Sequence, residues 1–203
     1  MDFFLKAFLT LFLVMDPVGL VPFFVALAGH RPLQRQVQIA RKAVLVAGGV
    51  VTFFFFFGAW FLRHLGISLE ALRIAGGILL FRIALDMVFA HLERETEEER
   101  QEASLREDVS VFPLAIPLIA GPGAMASVLI LAGEAKGSPG GALQVLLAAY
   151  LVLLMAYAFL RGAVLVRRAL GRTGVNVVTR VLGVLLAALA VQYVAEGVRG
   201  FLG

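Results

Sequence analysis

Apolar residues run along this chain in blocks of about twenty, each closed by a short polar cluster. The blocks fall at about 3–29, 43–62, 69–90, 110–133, 142–165 and 181–201. A helix of roughly 20 apolar residues crosses the hydrocarbon core of a bilayer. A strand needs only half that length, and an ordinary surface helix keeps a polar face that these blocks lack. The pattern therefore predicts an all-α polytopic membrane protein with six transmembrane helices. The clusters between the blocks read as loops: "GHRPLQRQVQIARK", "RHLGIS", "LERETEEERQEASLRED", "GEAKGSPGG" and "RRALGRTGVNVVTR". The first block does not read as a secretory leader, because Asp2 stands where basic residues belong and no small-residue cleavage site follows.

Composition agrees with the pattern. The 203 residues are 61% hydrophobic and 16% charged, with a mean hydropathy of +0.93, against about 45–50% apolar and about 25% charged in soluble domains. There is no cysteine, which removes disulfides, thiolate metal sites and thiol redox chemistry. The net charge of +4 reflects basic residues in short loops, so it speaks for membrane orientation rather than for nucleic acid. The first, third and fifth loops carry Arg31, Arg35, Arg41, Lys42, Arg94, Arg100, Arg106, Arg167, Arg168, Arg172 and Arg180. The opposite side carries Lys6, Arg63, Lys136 and Arg199. Because basic loops stay in the cytoplasm, both termini are expected outside.

An internal repeat is visible. A shift of 107 residues lays "RIAGGILL" from Arg73 on "RVLGVLLA" from Arg180, so that Gly76 falls on Gly183. A shift of 105 lays "DPVG" from Asp16 on "GPGA" from Gly121, so that Pro17 falls on Pro122. The expected plan is a three-helix repeat over 1–92, a charged cytoplasmic linker over 93–109 and a second repeat over 110–203. An odd number of spans per repeat inverts the second copy, which is the plan of many secondary transporters.

Polar residues and helix breakers inside the apolar blocks are the candidate chemistry. Asp16-Pro17 reads as a helix restart within the first span, since Asp caps helices and Pro suits their first position. Gly121-Pro122-Gly123 reads as the matching break in the fourth, approached through Pro113 and Pro117. Irregular backbone at membrane depth survives only against protein or a water-filled cavity. Two half-helix N-termini meeting near the midplane would offer free amides and positive dipole ends to a carboxylate. Gly19, Gly121, Gly123 and Ala124 would let a small ligand approach the backbone. For Asp16 two readings stand: a cap of its half-helix, or a partner for an ammonium group or a proton. Arg82 and Asp86, four apart on the third span, form either a structural ion pair or a gate or proton relay. Gln192, on the sixth span, either binds ligand or joins two helices. No nucleophile–base pattern, phosphate loop, dinucleotide fingerprint or metal-ligand spacing occurs, so no enzyme, cofactor or metal is expected.

The segments "MDPVGLVPFF", "AIPLIAGPGAM" and "NVVTRVLGVLLAALAVQYVAEGV" resemble the signature stretches of the MarC family of bacterial and archaeal membrane proteins, over the whole chain. The family is similar in its six-span plan to the LysE-type exporter superfamily. The resemblance implies transport of small neutral amino acids such as glycine and alanine, coupled to H+ or Na+. It implies a site at Asp16, Pro17, Gly19 and Pro22 with Gly121, Pro122, Gly123 and Ala124. The expected function is thus a secondary transporter of a small zwitterionic solute, working by alternating access in the bilayer, alone or as a homo-oligomer. The alternatives are an anion or metal-ion permease and a non-transporting, stress-associated membrane protein.

Overall fold

The computed structural model describes residues 2–89, 109–135 and 140–202. Among these, every regular element is helical: α1 (Asp2–Met15), α2 (Leu20–Ala28), α3 (Leu33–His64), α4 (Leu69–Phe89), the irregular α5 (Ser110–Ile119), α6 (Pro122–Glu134), α7 (Gly141–Arg161) and α8 (Ala163–Leu202). The acidic linker expected over 93–109 lies outside the described residues except for its last position. α3, α7 and the Thr173–Leu202 part of α8 are each long and apolar enough to cross a membrane. The bent pairs α1–α2 and α5–α6 bring the number to five. α4 holds the place of the remaining expected span. Its 21 residues extend about 32 Å, but Glu70, Arg73, Arg82 and Asp86 spread charge along its whole length.

On α3 the large aromatic side chains lie outside and small residues lie inside. α3 buries Ala40, Ala43, Ala47, Gly48 and Gly58, while Phe53, Phe56, Phe57, Trp60 and Phe61 are exposed. Lipid tails solvate a phenylalanine as well as a protein core does, so bulk gains nothing by turning inward. Close approach of backbones is what holds helices together in a bilayer. The α4–α8 contact is the most extensive in the molecule and shows this best. A Cβ on Gly77 would stand 2.7 Å from the carbonyl oxygen of Ala190 and 2.7 Å from Val194 Cγ2. No side chain fits there.

Three pairs of helices drawn from the two halves of the chain run antiparallel. Lys6 at the start of α1 bonds Glu134 at the end of α6, whereas Val14 meets the start of α6 at Gly123. Gly183 of α8 lies against Met87 of α4, and Gly197 against Ile74 and Glu70. Between α3 and α7, Arg41 and Tyr157 line one end of a shared groove, and the Thr52 and Tyr150 hydroxyls bond at 2.7 Å further along.

Two expected loops are helical. The stretch from Leu33 to Lys42 is the first part of α3, started after Pro32 in an extended conformation. The stretch from Arg167 to Arg180 belongs to α8, broken only at Gly171, where φ is +64°. Basic residues are good helix formers, so a polar composition ended the apolar block without ending the helix.

Candidate functional site

The fourth span breaks where two prolines and a glycine cluster. The residue before a proline is pushed out of the α region, and Phe112 and Ile116, which precede Pro113 and Pro117, are extended inside α5. The hydrogen bonds there reach back five residues, from Leu114 to Val109 and from Ala120 to Ala115. The chain then bends by 53° and restarts at Pro122. Gly121 is the extended cap residue, and no side chain bonds into the cap. The first intrahelical bond of α6 runs from the Met125 amide to the Gly121 carbonyl at 3.0 Å. The amides of Gly123 and Ala124 thus precede any acceptor of their own helix.

These amides border a cavity of about 170 Å³ lined by Val14, Ile83, Asp86, Pro117, Leu118 and Gly121 to Ala124. α4 contributes its only acidic side chain at this depth. Asp86 accepts a hydrogen bond from Arg82 at 3.0 Å, and its side chain is one-fifth exposed, whereas Arg82 is three-quarters exposed. The cavity therefore holds a positive pole, the N-terminal end of α6, and a negative one, the Asp86 carboxylate. Its volume suits a solute of a few heavy atoms. Gly123 lets the start of α6 lie close against α4, since a Cβ there would meet Leu80 and Ile83 at 2.8 and 3.1 Å.

The first break is built differently and does not line this cavity. Asp16 still donates its amide to Phe12 at 3.0 Å, but its φ of +40° turns the chain out of α1, and Pro17 brings no amide to continue it. The regular helix resumes at Leu20, three residues later than the Asp16-Pro17 pair suggests, with Gly19 in the cap position. α1 and α2 meet at 42°. The Asp16 carboxylate is buried and folds back to accept the Gly19 amide at 3.0 Å. Gly19 must lack a side chain, because a Cβ would collide with that carboxylate. Pro22 sits in the first turn of α2, where a missing amide costs nothing. Asp16, Pro17, Gly19 and Pro22 thus shape the break, while Gly121, Pro122, Gly123, Ala124 and Asp86 surround the cavity. α6 opens on this cavity, and α1 contributes Val14 to its lining.

Gln192 lies elsewhere. It is exposed on α8 and donates to Glu196 one turn on, at 2.8 Å, because the buried face of α8 at this level belongs to Tyr193. Sequence reasoning missed the buried hydroxyls of Thr10, Ser110 and Ser127, and it noted Tyr193 only as the repeat partner of Asp86. It also missed the ion pairs of Glu134 with Lys6 and Arg73. The spacing of Lys6, Thr10 and Val14, four apart on one face of α1, was the available signal.

Paired broken helices, close glycine contacts between long helices and a coat of exposed apolar side chains define a polytopic integral membrane protein. The description of the MarC family integral membrane proteins matches residues 1–202, and the chain belongs to that family. A UPF0056 membrane protein of Methanocaldococcus jannaschii is 37% identical over 203 residues, covering 100% of this chain and 98% of that protein. One from Aquifex aeolicus is 38% identical over 201 residues, covering 98% and 94%. Another, YhcE of Escherichia coli, is 34% identical over 197 residues, covering 96% and 91%. No solved structure matches.

Proposed function

We propose that the protein is a secondary transporter of small zwitterionic solutes, with neutral amino acids such as glycine and alanine as the substrate class. The observation that carries this reading is the two-pole cavity. The Gly123 and Ala124 amides suit the carboxylate of an amino acid, and Asp86 suits its ammonium group. Arg82 beside Asp86 fits the role of a gate or proton relay, exchanging its hold on the carboxylate with the arriving ammonium. The small volume argues against bulky side chains. The two halves of the chain, 1–92 and 110–203, are read as inverted repeats, a reading supported by the antiparallel pairing of α1 with α6, α3 with α7 and α4 with α8. Alternating access then comes from rocking one half against the other about the breaks at Asp16 and Gly121. The reading places both termini outside the inner membrane, from the basic loops, with H+ or Na+ as coupling ion.

Reconstitution into liposomes tests the proposal. Labelled glycine or alanine should enter, or exchange by counterflow, well above empty vesicles; absence of both refutes it. An anion permease is the second reading, favoured by the uncapped start of α6 beside Arg82. Chloride or phosphate displacing amino acids, with no amino-acid flux, would favour it.

A further inference from the structure

Beyond the cavity, at the end of the bundle formed by the start of α1 and the end of α6, three helices are tied by one carboxylate. Glu134 of α6 accepts from Lys6 Nζ of α1 at 2.8 Å and from Arg73 Nη2 of α4 at 3.2 Å. Its side chain and that of Arg73 are mostly covered, at 14% and 19% exposure. Between this knot and the cavity lies a layer of hydroxyls. Thr10, Ser127 and Tyr193 are buried, at 3%, 0% and 1% exposure. The Tyr193 hydroxyl faces Thr10 and Ser127 within reach of weak hydrogen bonding, but neither contact gives the Tyr193 or Ser127 oxygen a hydrogen bond of ordinary geometry, and Arg73 Nε has none either.

The register makes these layers one column. On α1, Lys6, Thr10 and Val14 share a face, and Val14 lines the cavity. On α6, Gly123, Ser127 and Glu134 share a face, and Gly123 lines the cavity. With about 1.5 Å of rise per residue, Ser127 stands about 6 Å and Glu134 about 16 Å beyond Gly123. Polar atoms buried without partners are rare in folded proteins, and each asks for an explanation. Between the cavity and the ion-pair knot, the Ser127 and Tyr193 hydroxyls thus keep hydrogen-bonding capacity that a small polar guest could take up.

We propose that Thr10, Ser127 and Tyr193 form a second binding station for the polar groups of a small zwitterionic solute, closed from the adjoining solvent by the Lys6–Glu134–Arg73 ion pairs acting as a gate. The station rests on the carrier reading for its ligand; the gate does not. Hydroxyls both donate and accept, so the layer can serve a carboxylate or an ammonium group in turn. Lys6 and Arg73 stand on α1 and α4, so movement of these helices against α6 would break both ion pairs together and open the path.

The chain has no cysteine, so Ser127→Cys creates its sole thiol, in nearly the volume of the serine. In detergent-purified protein, a small water-soluble thiol reagent should modify Ser127→Cys slowly and the Ser127→Cys, Glu134→Gln double variant at least about tenfold faster. Saturating glycine should slow the faster reaction. Equal rates in the two proteins overturn the gate, and a fast reaction that neither glycine nor alanine slows overturns the station. If Glu134→Gln does not fold, Lys6→Gln removes one arm of the knot at a side chain 44% exposed, and the same comparison holds. Tyr193→Phe supplies an independent readout. It should cut glycine uptake several-fold with thermal stability unchanged or raised, and full uptake overturns the station. Because thiol modification needs no transport, vesicles without uptake but with Glu134-dependent reactivity would refute the amino-acid carrier and leave a gated polar path.

Discussion

Two carboxylates compete for the functional role at the scale of single residues, and the structure separates them. Asp16 is buried, stands at a positive φ and spends its carboxylate on the Gly19 amide. Asp86 faces the cavity, held by an exposed arginine. A hydrogen bond to a charged group is worth about 1.5–3 kcal/mol, or roughly 10- to 100-fold in affinity. Asp86→Asn should therefore weaken glycine binding by that factor with little change in thermal stability. Asp16→Ala should do the reverse, lowering stability by about 0.5–2 kcal/mol as loss of a cap does and leaving binding per folded molecule nearly intact. Titration calorimetry and thermal unfolding on both variants check the pair of outcomes; weakened binding in Asp16→Ala alone would reverse the assignment. The sequence marked both residues as candidates, because any carboxylate amid apolar residues is expensive. It could not rank them, since the difference lies in which way each side chain turns.

Among the elements, the helices with most to say are those whose backbones touch. α4 carries four charged residues and still belongs to the bundle, because Gly77 and Gly183 let it lie directly on α8. Gly77→Leu would force α4 off Ala190 and Val194, and with them move Asp86 and Arg73 from their partners. The expected result is strong destabilisation, of several kcal/mol as for other overpacked contacts that cannot relax, read as loss of a monodisperse peak in detergent. A stable, monodisperse Gly77→Leu protein would show that the contact is dispensable. The breaks themselves were legible: proline spacing marked both, and the second begins at Pro122 as expected. The first is displaced to Leu20 because Asp16 leaves α1 through a left-handed turn, a choice made by backbone packing that no residue pattern records. Helix ends were less legible than helix centres. α3 and α8 run on through basic stretches that hydropathy reads as loops.

For the whole molecule, the decisive quantity is what the folded state binds. A solute that occupies the cavity stabilises the native protein by RT ln(1 + [L]/Kd), about 2.7 kcal/mol at a hundredfold excess over Kd. Glycine and alanine should therefore raise the apparent melting temperature by a few degrees. Large apolar amino acids should do so less, since about 170 Å³ leaves little room for their side chains. Equal shifts for leucine and glycine would contradict the size argument. The cavity and the ion-pair knot both lie where α1, α4 and α6 meet. On the carrier reading, closure of one end and opening of the other need no new element, only a different packing of these helices.

Membrane residence, helical class and the two interruptions were set by the sequence alone, because hydropathy, proline and glycine act locally and read the same in any context. The cavity's acid, the inward turn of Asp16, the outward position of Gln192 and the Thr10–Ser127–Tyr193 layer were decided only by tertiary structure. Each depends on the rotation of one helix about its axis against its neighbours. In an all-apolar helix the residue pattern barely specifies that rotation, whereas glycine contacts and ion pairs between distant segments fix it.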